Sequence, residues 1–301
     1  MLTFHIGLPK TGTTYLQHKI LRKVPDLRLI HRTMGPKEEK VCAALRKYVG
    51  ASSLTAGIMR QAITSRAFSR LDAMEEGELP AGVVISDENL SVQSGGIWRG
   101  EGPEPEKVAQ RLHALAAPMP PHLGPVKVLI GIRAQDTWLA AQYAETARHM
   151  PGFSQEDFDR RLTRIAQTDR LTGPLAWLDH ARVFRAFAER FGADFVILFE
   201  QEELEDRPGR TLTQIGRGLG GLDLARIHRR MRRRHKGRRT NALLDDETTW
   251  ELQGQGATLV LRDEISDAID ARFEASNEQL AALCSTVSGL AQPDDAEAEP
   301  V

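Results

Sequence analysis

The chain has 301 residues, of which 41% are hydrophobic and 27% charged, and its formal net charge is −1 at pH 7. This composition is sufficient for a sizeable core, and the near-zero charge excludes a protein that binds polyanions over its whole surface. No apolar run approaches the roughly 20 residues that a membrane-spanning helix needs.

The first predicted elements are a strand, a glycine-bounded loop and a helix. Leu2, Phe4 and Ile6 alternate with polar residues as in a strand, and residues 15–21 have a pattern typical of a helix. Residues 7–14 between them read Gly-Leu-Pro-Lys-Thr-Gly-Thr-Thr. In this arrangement backbone N–H groups and the positive end of the helix dipole face an anion, so the loop is predicted to bind phosphate.

The lysine of this loop is displaced from its usual position. The loop of the nucleoside triphosphatases reads G-x-x-x-x-G-K-[ST], with the lysine directly after the second glycine. Here Gly7 and Gly12 keep the glycine spacing, but Thr13 follows Gly12, and the lysine is Lys10. A lysine in the middle of the loop contacts a different part of the ligand from the lysine of a kinase or an ATPase.

The run Pro9-Lys10-Thr11-Gly12-Thr13-Thr14 resembles the 5′-phosphosulfate-binding loop of the sulfotransferases, P-K-[ST]-G-[ST]-[ST], at every position. That family uses 3′-phosphoadenosine 5′-phosphosulfate (PAPS) as its sulfuryl donor. The resemblance implies that these six residues bind PAPS, that Lys10 is catalytic and that no metal is required. A sulfuryl group carries less negative charge than a phosphoryl group, so a lysine and backbone donors suffice to stabilise its transfer.

Strands and helices alternate along the rest of the chain. Strands are predicted at residues 27–30, 82–86, 126–132 and 194–199. Helices are predicted at residues 36–71 with a break near 50–53, and at 104–117, 136–149, 155–167 and 174–190. The alternation predicts a three-layer α/β fold, a parallel sheet with helices on both faces, similar to the P-loop NTPases.

One sulfotransferase-like domain is expected over residues 1–290. Within it, residues 241–290 are predicted to form a helical C-terminal cap, with residues 268–283 as its most helical part. Residues 291–301 are acidic and are predicted to be a disordered tail.

Ligands of an open parallel sheet lie at the carboxyl ends of its strands. Arg133 follows the strongest predicted strand and resembles the family arginine that binds the donor's 3′-phosphate. The family serine eight residues later is replaced by Ala141, which removes one hydroxyl hydrogen bond, and the adjacent polar residue is Gln142. The alternative interpretation of Arg133 is a surface arginine that ends a strand.

Two adjacent carboxylates, Asp87 and Glu88, follow the predicted strand at residues 82–86. A hydroxyl or amine acceptor must lose a proton as it is sulfated, so a carboxylate at this strand end is a candidate general base. The competing role is to cap the next helix. We assign the cap to Asp87 and leave both roles open for Glu88, the leading candidate base. His5 is predicted to be a hydrogen-bonded core histidine, and His31 is a more distant candidate base.

Residues 229–239 hold eight Arg or Lys side chains. Lys236 and Gly237 match the core of the R-K-G loop with which sulfotransferases cover the adenosine and bind the 3′-phosphate, but His235 occupies the arginine position. Recruitment of an anionic acceptor such as an acidic or sulfated glycan, nucleic-acid binding and a solvated charged surface stay open as other interpretations. The absence of interleaved aromatic residues from the run argues against nucleic acid.

Together these features predict sulfuryl transfer from PAPS to an acceptor hydroxyl, of a carbohydrate or another small molecule, or to an amine. Two alternatives stay open: a P-loop kinase or NTPase with an atypical lysine, and a nucleotide- or anion-binding module without catalysis. The best evidence for the second is Ala141. The two cysteines, Cys42 and Cys284, are not in a metal-binding spacing, and the loop starts too early for a signal peptide to precede it, so we expect a cytoplasmic protein.

Overall fold

The structure is a computed structural model that describes residues 1–25, 27–63, 82–93, 95–118, 124–149, 152–234, 248–252 and 256–287. The predicted helical residues 64–71, the tail at 291–301, and Lys236 and Gly237 lie outside these ranges. No helix among the described residues is long and apolar enough to cross a bilayer.

Within the part of the chain that the structure describes, the central sheet consists of the five strands β1 (Leu2–His5), β2 (Leu27–His31), β3 (Gly82–Ser86), β4 (Val126–Ile132) and β5 (Val196–Glu200). Their order is β2-β3-β1-β4-β5, and every pairing is parallel. All residues of β1 and β3 are buried, as expected for parallel strands covered on both faces. The predicted α/β class is therefore confirmed. The last strand begins later than predicted, because residues Ala193–Phe195 form a 3₁₀ turn before it.

The helices of the described residues are α1 (Thr13–Tyr15), α2 (Pro36–Gly50), α3 (Ser53–Ile63), α4 (Gly96–Arg99), α5 (Pro105–Ala116), α6 (Gln135–Thr146), α7 (Gln155–Ala166), α8 (His180–Phe191), α9 (Gln201–Asp206), α10 (Pro208–Gly218), α11 (Leu224–Arg234) and α12 (Asp263–Val287). After α1 the chain continues as a π-helical turn, Leu16–Ile20, and a 3₁₀ turn, Leu21–Lys23. The predicted break between α2 and α3 is present.

One predicted helix is divided in two. Residues 174–190 form a 3₁₀ helix, Gly173–Leu178, followed by α8. Asp179 separates them, because its side chain accepts a hydrogen bond from the backbone N–H of Arg182 at 2.9 Å and so caps α8.

The C-terminal cap was predicted to be helical, but the structure also contains strands there. An antiparallel hairpin, β6 (Thr249–Leu252) and β7 (Ala257–Val260), precedes α12. In β6 the buried residues are Trp250 and Leu252, the alternation of a strand. Helix α12 packs against α6, α7 and α8. Asn277 accepts a 2.9 Å hydrogen bond from Gln135 at the start of α6.

Two hydrophobic cores cover the two faces of the sheet. Alternate residues of β4 belong to different cores: Val128 and Ile130 face α5 to α8, whereas Leu129 faces α9 to α11 and the segment after α1. The connection after β1 runs towards β2, and the connection after β4 runs towards β5. This reversal leaves a crevice between the carboxyl ends of β1 and β4, where an open sheet binds its ligand.

Candidate active site

The loop after β1 turns back on itself at two left-handed residues. Lys10 has φ of 66° and Gly12 has φ of 72°. The hydroxyl of Thr11 donates to the carbonyl of Leu8 at 2.6 Å and closes the turn. A Cβ on Gly7 would lie 3.0 Å from the backbone nitrogen of Gly131 in β4, so this glycine allows the close approach of the loop to the neighbouring strand. Thr13 is buried and Thr14 is exposed at the start of α1.

Helix α6 holds the backbone of the loop in place. The indole N–H of Trp138 donates to the carbonyl of Pro9 at 2.6 Å, and the amide of Gln142 donates to the same oxygen at 3.4 Å. Trp138 is buried as predicted, but it anchors the loop in addition to packing in the core. Gln142 is fully buried and its amide is directed at Pro9, so this side chain supports the loop.

The side chain of Lys10 reaches α6 as well. Its Nζ lies 3.2 Å from Oε1 of Glu145, in the last turn of that helix, and the two side chains are 36% and 26% exposed. Sequence reasoning did not identify Glu145. Its contact with Lys10 joins residues 135 positions apart, and the spacing within α6 alone does not indicate it.

Arg133 lies beside Lys10, at the end of the adjacent strand β4. It is only 8% exposed, which excludes the alternative of a surface arginine. Its Nε donates to the hydroxyl of Thr137 at 3.1 Å, and its Nη1 donates to the carbonyl of Lys10 at 3.5 Å. Burial lowers the pKa of the guanidinium, and the carboxylates of Glu202 and Glu205 act in the opposite direction. Arginine is nevertheless always protonated in proteins, so two cations flank the crevice between β1 and β4.

Glu88 lies on the other side of β1, after β3. Its Oε1 accepts from Nη2 of Arg32 at 3.1 Å, and its Oε2 accepts from the amide of Gln17 at 3.1 Å. The side chain is 12% exposed. Burial raises its pKa, but the hydrogen bond from Gln17 and the charge of Arg32 outweigh burial, and the pKa lies below its ordinary value. Glu88 is thus an ionised carboxylate at neutral pH.

Neither partner of Glu88 was singled out from the sequence. Arg32 directly follows β2, so the rule that strand ends carry the site could have found it. Gln17 lies on the π-helical turn after the loop, and no sequence signal indicates that its side chain is directed at β3.

Asp87 is a cap, as the sequence predicted. Its fully buried carboxylate accepts from the backbone N–H of Asn89 at 3.1 Å and begins the 3₁₀ turn Glu88–Leu90. Nη1 of Arg46 donates to its other oxygen at 2.6 Å. Burial raises the pKa of Asp87, even though Arg46 opposes this.

Three polar residues form a row across the carboxyl ends of β1, β3 and β2. His5 and His31 are both in register with Ser86, so the three side chains leave the same face of the sheet. The hydroxyl of Ser86 accepts from the amide of Gln17 at 2.9 Å and is hydrogen-bonded to Nδ1 of His5 at 2.7 Å. Burial lowers the pKa of His5 to about 4, so it is the neutral, hydrogen-bonded core histidine that the sequence predicted.

His31 is the weaker base candidate. Its Nδ1 is 2.9 Å from the hydroxyl of Thr33, and burial lowers its pKa despite the nearby charge of Glu88. Its side chain is almost entirely enclosed. Of the candidate bases, Glu88 combines an ionised oxygen with partial access from solvent.

Helix α11 brings the first part of the basic run next to the loop. Nδ1 of His228 lies 2.5 Å from the hydroxyl of Tyr15, which directly follows Thr14. Nζ of Lys23 lies 3.4 Å from the sulfur of Met231 on the same face of α11. Among the residues of α11 up to Arg232, whose side chains the structure describes, the exposed ones are all basic: Arg226, Arg229, Arg230 and Arg232.

No family model and no curated protein matches the chain in sequence. In three dimensions the chain is similar to a crystal structure of a sulfotransferase from Alicyclobacillus acidocaldarius, with 14% identity, a TM-score of 0.52, and coverage of 94% of this chain and 95% of that one. The sulfotransferase domain of the Synechococcus PCC 7002 olefin synthase matches with 13% identity, a TM-score of 0.36, and coverage of 93% and 94%. The first of these likenesses shows that the two chains share a fold along nearly their whole length.

Proposed function

We propose that this chain is a sulfotransferase that moves a sulfuryl group from PAPS to an acceptor hydroxyl, with an amine as the less favoured acceptor. The observation that carries the proposal is the pair of cations at the crevice, where Nη1 of Arg133 lies 3.5 Å from the carbonyl of Lys10. PAPS has two anionic groups, a 5′-phosphosulfate and a 3′-phosphate, and one cation serves each. The loop sequence and the fold shared with a sulfotransferase support the same assignment.

In this proposal the loop holds the 5′-phosphosulfate through its backbone N–H groups and hydroxyls. The contributing residues are Pro9, Lys10, Thr11, Gly12, Thr13 and Thr14. Arg133 binds the 3′-phosphate, and Lys236 with Gly237 covers the adenosine as the loop of the sulfotransferases does. Lysine and backbone donors carry the stabilisation of charge, so the proposed reaction requires no metal.

The proposed reaction is an in-line displacement at sulfur. The acceptor oxygen forms a bond to the sulfur while the bond from sulfur to the bridging phosphate oxygen breaks, and the electron pair stays on that oxygen. Lys10 stabilises the charge that develops there. The acceptor proton passes to Glu88, and the products are a sulfate ester, adenosine 3′,5′-bisphosphate (PAP) and a proton that Glu88 releases to solvent.

Glu88 is suited to the role of base by its charge state. The lowered pKa keeps it ionised at neutral pH, and a carboxylate has more lone pairs than its two hydrogen bonds use. Arg32 and Gln17 hold the group in a fixed orientation. A base with a low pKa is a weak proton acceptor, so most of the catalytic effect has to come from its position.

The exposed arginines of α11 favour an anionic acceptor such as an acidic glycan. Arg226, Arg229 and Arg230 project away from the face of α11 that contacts Tyr15, Arg232 lies near that contact, and α11 contains no acidic residue. A small-molecule acceptor or a glycan fits this surface better than a nucleic acid, because the helix also lacks Phe, Tyr and Trp side chains for stacking on bases. We also propose that the protein is cytoplasmic.

Calorimetry with PAP, ADP and AMP tests the proposal directly. We expect PAP to bind the most tightly, because it alone offers a 3′-phosphate to Arg133. Equal affinity for PAP and AMP would contradict the proposal, and Mg²⁺-dependent turnover of ATP would indicate an NTPase instead. Tight binding of PAP without transfer from ³⁵S-labelled PAPS to small-molecule or glycan acceptors would indicate a binding module.

A further inference from the structure

Helix α6 directs one row of side chains at the phosphate loop. Trp138, Gln142 and Glu145 are four and three residues apart, so they lie on the same face of the helix. The first two donate to the carbonyl of Pro9, and the third meets the ammonium of Lys10 at 3.2 Å. One helix face thus fixes both the loop backbone and the charged end of its lysine. Ala141 lies on the same side of the helix and has no polar group, so Glu145 is the residue of this row that pairs with Lys10.

The fold does not require this ion pair. Both side chains are partly exposed, and pairs of this kind contribute little to stability because water screens them and both side chains lose rotational freedom. The carboxylate also lies where it is unfavourable for an anionic ligand, since a phosphosulfate at Lys10 brings negative charge close to Glu145. A cost of this kind at a ligand site points to a functional role.

We propose that Glu145 is a positioning residue for Lys10. In the free protein its carboxylate holds the ammonium, and the donor anion competes with it. In the donor complex one of the three N–H groups of the ammonium stays on Glu145, which orients the other two towards the transferring group. This inference rests on the proposed sulfuryl transfer for the identity of the anion.

The inference predicts opposite effects on binding and on turnover. Glu145→Ala removes a negative charge near the donor, so PAP should bind about three- to tenfold more tightly. The same change releases the ammonium from its orientation, so kcat should fall by about tenfold or more. Glu145→Gln should bind PAP as tightly as the alanine variant but keep more of the turnover, because the amide oxygen still accepts a hydrogen bond from Lys10.

The experiment compares the full-length wild type with Glu145→Ala and Glu145→Gln. The matched control is Glu189→Gln, which removes the same charge from an exposed position on α8. PAP affinity is measured by calorimetry and kcat with labelled PAPS. Inorganic sulfate is the second probe. The rise in Tm that it causes is compared with that in sodium chloride at equal ionic strength, and it shows how strongly Glu145 competes with an anion for Lys10 when no nucleotide is present.

The inference is supported if the Glu145 variants bind PAP more tightly and have a lower kcat, while the control shows neither change. It is overturned if the Glu145 variants have the PAP affinity and the kcat of the wild type, or if they lose both. If both values equal those of the wild type, the sulfotransferase proposal still stands. If neither the wild type nor any variant binds PAP but sulfate stabilises the Glu145 variants more than the wild type, the PAPS proposal fails, and the competition of Glu145 with an anion for Lys10 is supported. If neither ligand distinguishes the variants, the role of Glu145 is wrong.

Discussion

Glu88→Gln separates a catalytic from a structural role for the carboxylate after β3. If Glu88 takes the acceptor proton, its loss should lower kcat by about 10²–10⁴ while the affinity for PAP stays the same. The stability effect should be small. The ion pair with Arg32 joins atoms 3.1 Å apart, but the arginine is 45% exposed, so the pair contributes no more than about 1 kcal/mol. For a chain of this size, that lowers Tm by about 2–4 °C at most.

The pH dependence gives an independent check on the same variant. The pKa of Glu88 in the folded protein lies below its ordinary value, so its carboxylate stabilises the fold above the unfolded pKa and loses this effect as the pH falls through the folded pKa. The stability difference between wild type and Glu88→Gln should therefore vanish in acid. The acidic limb of the wild-type pH–rate profile should lie below the ordinary glutamate range and should flatten in the variant.

Arg32→Gln is the matched control. It breaks the same ion pair and keeps the carboxylate, and it removes a charge that lowers the pKa of Glu88. Turnover at neutral pH should survive, and the acidic limb should move to higher pH. If Arg32→Gln loses as much turnover as Glu88→Gln, activity depends on the ion pair and not on proton transfer to Glu88. Full activity of a folded Glu88→Gln protein would remove the base assignment altogether.

Two further predictions concern the cations of the crevice. Lys10→Ala should fold normally and lose about 10²–10³ in turnover, because the developing charge on the leaving oxygen loses its partner, and near-wild-type turnover measured with labelled PAPS would rule out the proposed mechanism. Arg133→Ala should weaken PAP by about 1.5–3 kcal/mol and AMP much less, since AMP lacks the 3′-phosphate. Equal losses in calorimetry would make Arg133 a structural residue.

The sheet and the loop could be predicted from the sequence for local reasons. Residues 126–132 are mostly β-branched and aliphatic, the run is too short for a typical helix, and its last five residues are buried, as is typical of a parallel strand covered on both faces. The loop is predictable because its glycines and its lysine lie within a few residues of one another. The position of Arg133 at the edge of the sheet was predicted because the strand ends of a parallel sheet converge there, whereas its phosphate-binding role is implied by the family resemblance and stays a prediction.

The parts that were not predicted depend on contacts between distant residues or on small energy differences. The pairing of Lys10 with Glu145 and of Glu88 with Arg32 requires the three-dimensional approach of separate elements. The helical periodicity of the sequence continues across Asp179, so the pattern predicts one helix where the structure has a 3₁₀ helix followed by α8. The hairpin before α12 is too short, at four residues a strand, for its alternation to be decisive.

The left-handed backbone conformation of Lys10 lowers the stability of the fold at a position where the proposed activity requires a side chain. A side chain at φ of 66° costs about 1–2 kcal/mol, because its Cβ crowds the following carbonyl, and glycine escapes this cost. Lys10→Gly should therefore be more stable to thermal unfolding than Lys10→Ala, although both variants lack the ammonium. Glycine would be the more stable choice at this φ, so the lysine places an ammonium at the crevice at a cost of about 1–2 kcal/mol in the stability of the fold.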